Sequence, residues 1–99
     1  MYGLKEEVIS KLKLIFSKYE NIEKVIIYGS RAMGNYRNGS DIDLCFFGED
    51  LSLDTLYKVE EDIEDLLLPY LFDMSIYSHI DNEGLIDHIN RIGVGFYKR

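Results

Sequence analysis

The chain has 99 residues, 46% hydrophobic and 13% aromatic, enough for one compact core and too few for two, since domains commonly run from about 50 to 200 residues. Its 18 acidic and 11 basic residues give a net charge of −7, which argues against duplex nucleic acid as a partner because phosphate backbones call for a clustered basic face. A single cysteine, Cys45, excludes a disulfide framework and a cysteine-built zinc cluster; with an acidic N-terminus and no apolar run near the ~18 to 20 residues of a membrane span, it leads to the expectation of a soluble cytoplasmic protein with no membrane partner.

Leu4, Val8, Leu12, Ile15, Phe16 and Tyr19 recur at spacings of three and four, predicting an amphipathic helix from Leu4 to Tyr19. Val25-Ile26-Ile27-Tyr28 reads as a short strand buried on both faces and halted by Gly29-Ser30. Residues 29 to 40 include Gly29, Gly34, Asn35, Asn38, Gly39 and Ser40, so a loop or short helical turn is expected. Asp41 to Phe47 forms a second strand, ended by Gly48. Ser52 is placed to N-cap a helix with Asp54 in its first turn, and Leu53, Leu56, Tyr57, Ile63, Leu66 and Leu67 supply an apolar stripe as far as Pro69.

A third strand runs from Leu71 to Tyr77, where Phe72, Met74 and Ile76 alternate with Asp73, Ser75 and Tyr77. Period two gathers the latter three on one polar face. A final helix covers about Asn82 to Arg91, with Leu85, Ile86, Ile89 and Ile92 as its apolar residues, and the tail from Gly93 to Arg99 adds a short strand or packs without one. This order predicts a single α/β (α+β) domain over residues 1–99, a small mixed or largely parallel sheet with helices mainly on one face. The acidic patches Glu49-Asp50, Glu60-Glu61-Asp62 and Glu64-Asp65 read first as solvated helix faces and second as a surface for a basic partner.

Asp41 and Asp43 lie two apart on a strand, so both carboxylates leave the same face while Ile42 and Leu44 enter the core. Two such anions repel unless a cation or strong donors stand between them, and hard oxygen ligands suit Mg²⁺. A capping or turn role is the competing reading of an isolated Asp-x-Asp. Asp73, on the polar face of the next strand, reaches the same site if the two strands are neighbours. Three converging carboxylates are what two Mg²⁺ ions need for in-line phosphoryl transfer.

Gly29-Ser30 follows a hydrophobic strand and precedes the turn, where glycine lets backbone approach a phosphate and exposed N–H groups cradle it. Ser30 either donates to that phosphate or acts as an N-cap. Arg31 and Arg37 either contact phosphate or pair with the acidic residues. Ser40 orients a carboxylate or holds the turn, with the structural role favoured. His79 and His88 meet no cysteine and read as surface or capping residues. An aspartyl-nucleophile phosphohydrolase also uses Asp-x-Asp, but Cys45 stands where a Thr or Val would be wanted, and the Gly29-Ser30 loop argues against it.

The run from Gly29 to Leu44, Gly-Ser-Arg-Ala-Met-Gly-Asn-Tyr-Arg-Asn-Gly-Ser-Asp-Ile-Asp-Leu, closely resembles the signature of the polymerase-β-like nucleotidyltransferase superfamily in its minimal (MNT) branch. Gly-Ser, a ten-residue gap and Asp-h-Asp-h, with h hydrophobic, are the specific part, and Asp73 matches the third acid. The resemblance implies the polymerase-β-like nucleotidyltransferase fold and ATP bound with Mg²⁺, two ions in all. It further implies Gly29 and Ser30 on the distal phosphates, with Asp41 and Asp43 as metal ligands and Asp73 as the third ligand that helps activate the acceptor. Arg31, Arg37 and Ser40 are the remaining candidates for nucleotide contact. Minimal members are similar to the antitoxin halves of HEPN/MNT toxin–antitoxin pairs, in which AMP is added to a tyrosine of the helical HEPN toxin. On that likeness the expected activity is AMP transfer from ATP to a partner's hydroxyl, and the alternative is a slow or non-catalytic module that neutralises its partner by binding. Met33 stands where many such antitoxins carry a basic residue.

Overall fold

The computed structural model describes residues 1–37 and 39–99; Asn38, expected in the turn-rich stretch, lies outside the described residues. The elements, in order, are α1 (Glu6–Ser17), β1 (Lys24–Tyr28), α2 (Ser30–Met33), β2 (Ile42–Phe47), α3 (Leu53–Glu64), β3 (Phe72–Ile76), a 3₁₀ turn (Tyr77–His79), α4 (Glu83–Ile92) and β4 (Val94–Lys98). One four-stranded sheet has the order β3-β2-β1-β4. Only β2 and β3, joined through α3, run parallel; β1 is antiparallel to both β2 and β4. The sheet is therefore mixed, and the tail supplies its fourth strand.

Alternation decides which side of the sheet each residue serves. Val25 and Ile27 of β1, Ile42, Leu44 and Phe46 of β2, and Ile76 of β3 pack into one core with Leu12, Ile15 and Phe16 of α1 and Leu56, Val59 and Ile63 of α3. Phe16 meets Phe46 edge to face, with centroids 5.3 Å apart, a favoured aromatic geometry. On the opposite side Tyr28 and Cys45 pack against Ile89 of α4. The two longer helices thus cover one face, and α4 shields part of the other.

Helix starts follow the sequence unevenly. Glu6 and Glu7 occupy the first turn of α1, where acidic groups complement the helix dipole. Asn82 caps α4 by accepting a hydrogen bond from the Leu85 amide at 3.0 Å. Ser52 does hold the N-cap position of α3, but its side chain makes no cap hydrogen bond. The expected α3 stripe also divides: Leu56 and Ile63, joined by Val59, are buried, whereas Leu53, Tyr57 and Leu67 are exposed. At 100° per residue Leu53 and Tyr57 lie about 60° or more around the helix from the buried set, and Leu67 lies past the end of α3. No helix among the described residues is long and apolar enough to cross a membrane.

Tyr19, just past α1, ties the two helices of this face together by donating to Asp62 of α3 at 2.5 Å, while Lys18 pairs with the same carboxylate at 3.1 Å. Burial, then the Asp62 bond, pushes the Tyr19 phenol up to about 12, and the Tyr19 bond holds Asp62 below the usual carboxylate range. A group with a lowered folded pKa stabilises above its unfolded value and loses that contribution as pH falls through the folded one. Tyr19→Phe is therefore expected to cost about 1 kcal/mol at neutral pH, the scale of one net hydrogen bond. The cost should shrink in acid as Asp62 protonates, which urea melts at neutral and acid pH will measure.

Candidate active site

Strand register builds the site. Tyr28 of β1 lies opposite Asp43 of β2, and Asp43 lies beside Asp73 of β3. With strands about 4.8 Å apart, Tyr28, Asp43 and Asp73 form one row across the sheet, on the face away from α1 and α3. Asp41 precedes β2 on the same face as Asp43, about 7 Å along the chain. Asp41 and Asp73 are exposed and Asp43 is partly buried.

Two carboxylates side by side on neighbouring strands repel each other. The Asp43 carboxyl registers this: burial, then the charges of Asp73 and Asp41, raise it above the ordinary range, with His88 opposing. Among the described residues, no three Asp, Glu, His or Cys side chains close into a metal cluster. The donor set nonetheless fits a hard divalent cation, which would relieve the repulsion among these acids using ligands that are oxygen throughout.

Gly29 joins this row to α2. Its φ of 76° and ψ of −155° belong to a region essentially closed to residues with a side chain. A Cβ there would also collide with the Asp43 carboxylate. The opening of α2 is thereby seated directly against Asp43, and the amides of a helix's first turn have no intrahelical acceptor. Ser30 begins that turn partly buried, and α2 stops after four residues at Gly34, a left-handed cap (φ 84°) whose N–H donates to the Ser30 carbonyl.

Arg31 is placed differently from the expectation of a phosphate or surface ion-pair ligand. It is 3% exposed. Its Nε and Nη2 donate to the Ser40 carbonyl at 3.1 and 2.9 Å, and Nη1 donates to the Tyr2 carbonyl at 2.9 Å. The guanidinium also lies over the rings of Tyr36 and Tyr70, 5.4 and 5.2 Å from their centroids. Arg31 thus braces the segment that delivers Asp41, by fastening its last residue to the N-terminal turn at Tyr2. Arg31→Lys is expected to lose about 2 kcal/mol, the scale of charged hydrogen bonds, because a single ammonium lacks the fork that spans two carbonyls; thermal denaturation tests this.

Ser40 Oγ accepts from the Arg37 amide at 2.8 Å, so its hydroxyl serves the turn, the favoured expectation. The Arg37 side chain is exposed and makes no ion pair among the described residues. Met33 is 48% exposed at the end of α2.

His88 and Ser75 are neighbours of the site that no motif announced. The His88 ring meets Tyr28 edge-on at 6.0 Å, which brings α4 to the carboxylate row. Its spacing from Leu85 and Ile92, three and four residues, is the pattern that would have revealed it. Ser75 is close enough to Tyr28 and Cys45 to influence both groups, yet its buried Oγ makes no hydrogen bond. Burial pushes the Cys45 thiol up to about 11, as befits a small apolar filler.

The family model "Polymerase beta, Nucleotidyltransferase" matches residues 10–99. No curated protein matches the chain significantly. Among solved structures, a toxin–antitoxin with AMP-PNP superposes with a TM-score of 0.73 at 18% identity, over 97% of this chain and 75% of that one. A complex of tri-AMPylated Shewanella oneidensis HEPN toxin with its MNT antitoxin gives a TM-score of 0.65 at 17% identity, over 100% and 74%. A candidate nucleotidyltransferase from Sulfolobus solfataricus gives 0.54 at 28% identity, over 98% and 92%. The MntA–HepT complexes share the fold at 12 to 18% identity. The chain belongs to the polymerase β nucleotidyltransferase family.

Proposed function

We propose that the protein transfers AMP from ATP to a hydroxyl of a partner protein, a tyrosine of a HEPN-type helical toxin, and so acts as its antitoxin in the cytoplasm. The observation that carries this reading is the row of Asp43 and Asp73, with Asp41 on the same face, set against a glycine-opened turn that leaves no room for a side chain. The tri-AMPylated HEPN toxin found with an MNT relative supplies the acceptor class.

In this mechanism Gly29 and Ser30 hold the β- and γ-phosphates, and Arg37, exposed at the loop, contacts the nucleotide. Asp41 and Asp43 would hold two Mg²⁺ ions, with Asp73 completing the set. When bound, the ions offset the charge of the triphosphate and of the acceptor oxygen. The acceptor oxygen attacks the α-phosphorus; that O–P bond forms as the bond from the α-phosphorus to the bridging oxygen breaks, and pyrophosphate leaves with the electron pair. Asp73, exposed at the outer strand, takes the acceptor proton. Ser40 and Arg31 fix the backbone that delivers Asp41 and touch no reacting atom.

Isotopic labelling tests the reading. The chain is incubated with Mg²⁺, ATP and the product of the adjacent reading frame. Label at the α-phosphate is expected to reach the partner, and label at the γ-phosphate is not. Transfer of γ-label, or no transfer of either, overturns the proposal. Neutralisation by binding alone is the second reading; full neutralisation by an Asp41→Asn/Asp43→Asn protein would support it.

A further inference from the structure

The division of α3 leaves a surface that the fold does not use. Leu53 (51% exposed), Tyr57 (58%), Glu60 and Glu64 follow one another at intervals of four, three and four, which sets them on a single helix face. Leu67, 89% exposed, and Leu71, 72% exposed, carry this line past the helix to the start of β3. Between α3 and β3 runs a cleft of about 350 Å³, walled by Glu60, Glu64, Leu67, Leu71, Phe72 and Met74 among others. Because β3 is an edge strand, the cleft is open along the side of the sheet.

Leu67 marks the cleft independently. Its φ is +55°, a left-handed conformation in which a bulky residue is an outlier and Gly or Asn would be at ease. The chain therefore holds a strained leucine almost wholly in water, where core packing gives no return. None of the lining residues is basic, and Glu61 and Asp65 add charge nearby on α3 and its cap. A second copy of the chain docked by the same face would set acid against acid across a two-fold contact.

We infer that the α3–β3 cleft docks a basic amphipathic helix of the acceptor protein, with apolar side chains on Leu67 and Leu71, which line it, and on Tyr57 of the adjoining helix face, and flanking Lys or Arg against Glu60 and Glu64. Leu71 is two residues from Asp73, about 7 Å along the chain, so a helix lying here follows the same sheet edge as Asp73, on the α3 side and across the edge from the carboxylate row. Docking itself is independent of catalysis; only its purpose rests on the transfer reading.

The test uses two fluorescein-labelled helical peptides, one of leucine and lysine and one of leucine and glutamate in the same pattern. Each is titrated with the full chain, without nucleotide or Mg²⁺, and followed by anisotropy. Saturable binding of the lysine peptide alone is expected, weakened about tenfold or more by Leu67→Gly/Leu71→Ser, as for residues at the centre of an interface. Leu67→Gly alone should keep or raise the melting temperature while loosening the peptide, a combination that a purely structural role would not give. Glu60→Lys/Glu64→Lys should also abolish preference for the lysine peptide. No saturable binding, equal binding of both peptides, or binding indifferent to these changes overturns the inference. So does a dimer in sedimentation that Leu67→Gly/Leu71→Ser dissolves, since a second copy would then be the occupant. Failure of docking leaves nucleotide transfer standing, whereas docking without α-label transfer would overturn only the transfer.

Discussion

Asp43→Asn is expected to abolish most nucleotide transfer and, at the same time, to make the protein melt higher at neutral pH. On the proposal that Asp43 holds Mg²⁺, its removal forfeits several kcal/mol of transition-state stabilisation, on the order of 10² to 10³ in rate. The stability gain has an electrostatic origin. Asp43 has a raised folded pKa, from burial first and then from Asp73 and Asp41, against His88. The folded state therefore binds this proton more tightly than the unfolded chain does. The contribution of Asp43 to stability falls as pH climbs from about 3.9, the ordinary value, through the raised one, so the penalty grows toward neutral pH. Asparagine removes the charge and the penalty with it. Each kcal/mol recovered should raise the midpoint by about 4 to 8 °C in a domain of this size. The advantage should fade as the pH is lowered into the carboxylate range, and added Mg²⁺ should narrow it by stabilising only the wild type. Thermal scans across pH check this; a variant that melts lower than wild type at neutral pH would contradict the assignment of Asp43 as a repelled carboxylate.

Gly29→Ala is the second large effect, through two costs that act together. The backbone at φ 76° and ψ −155° is strained for alanine by about 1 to 3 kcal/mol. The added methyl also meets the Asp43 carboxylate, so either α2 or the carboxylate must move. A displacement of about 1 Å in a positioned catalytic group can cost on the order of 10²-fold. Activity should therefore fall further than the lost stability explains, since the folded fraction remains high in a domain stable by about 5 kcal/mol or more. Transfer rate measured beside the folded fraction from circular dichroism separates the two; a rate that simply tracks the folded fraction would mean that Gly29 serves folding alone.

The carboxylates and their strands were readable because a period of two is local: Asp41 with Asp43, and Asp73 with Ser75, share faces by alternation alone. Their convergence was not, because it depends on β2 and β3 being parallel neighbours in the register Asp43 to Asp73. The tail as a strand beside β1 was likewise open, since a seven-residue segment ending a chain has no periodicity long enough to choose. Arg31 misled for a physical reason. A guanidinium in a glycine-rich turn before two aspartates reads as an anion ligand, and its burial comes from Tyr2 and Tyr70, residues distant in sequence. The α3 stripe failed at 100° per residue, where Leu53 and Tyr57 lie about 60° or more around the helix from Leu56 and Val59. His88 was visible in principle from its spacing to Leu85 and Ile92, but a histidine among apolar residues gives no sign of which side chain it will touch.

Whether this row of aspartates drives transfer to a protein acceptor is tested most directly by mass spectrometry of the partner. After incubation with the wild-type chain, ATP and Mg²⁺, the partner should gain the mass of AMP on a tyrosine, and the Asp41→Asn/Asp43→Asn chain should leave it unchanged. An equal gain with the double variant, or neutralisation by the wild type with no added mass, would contradict the account.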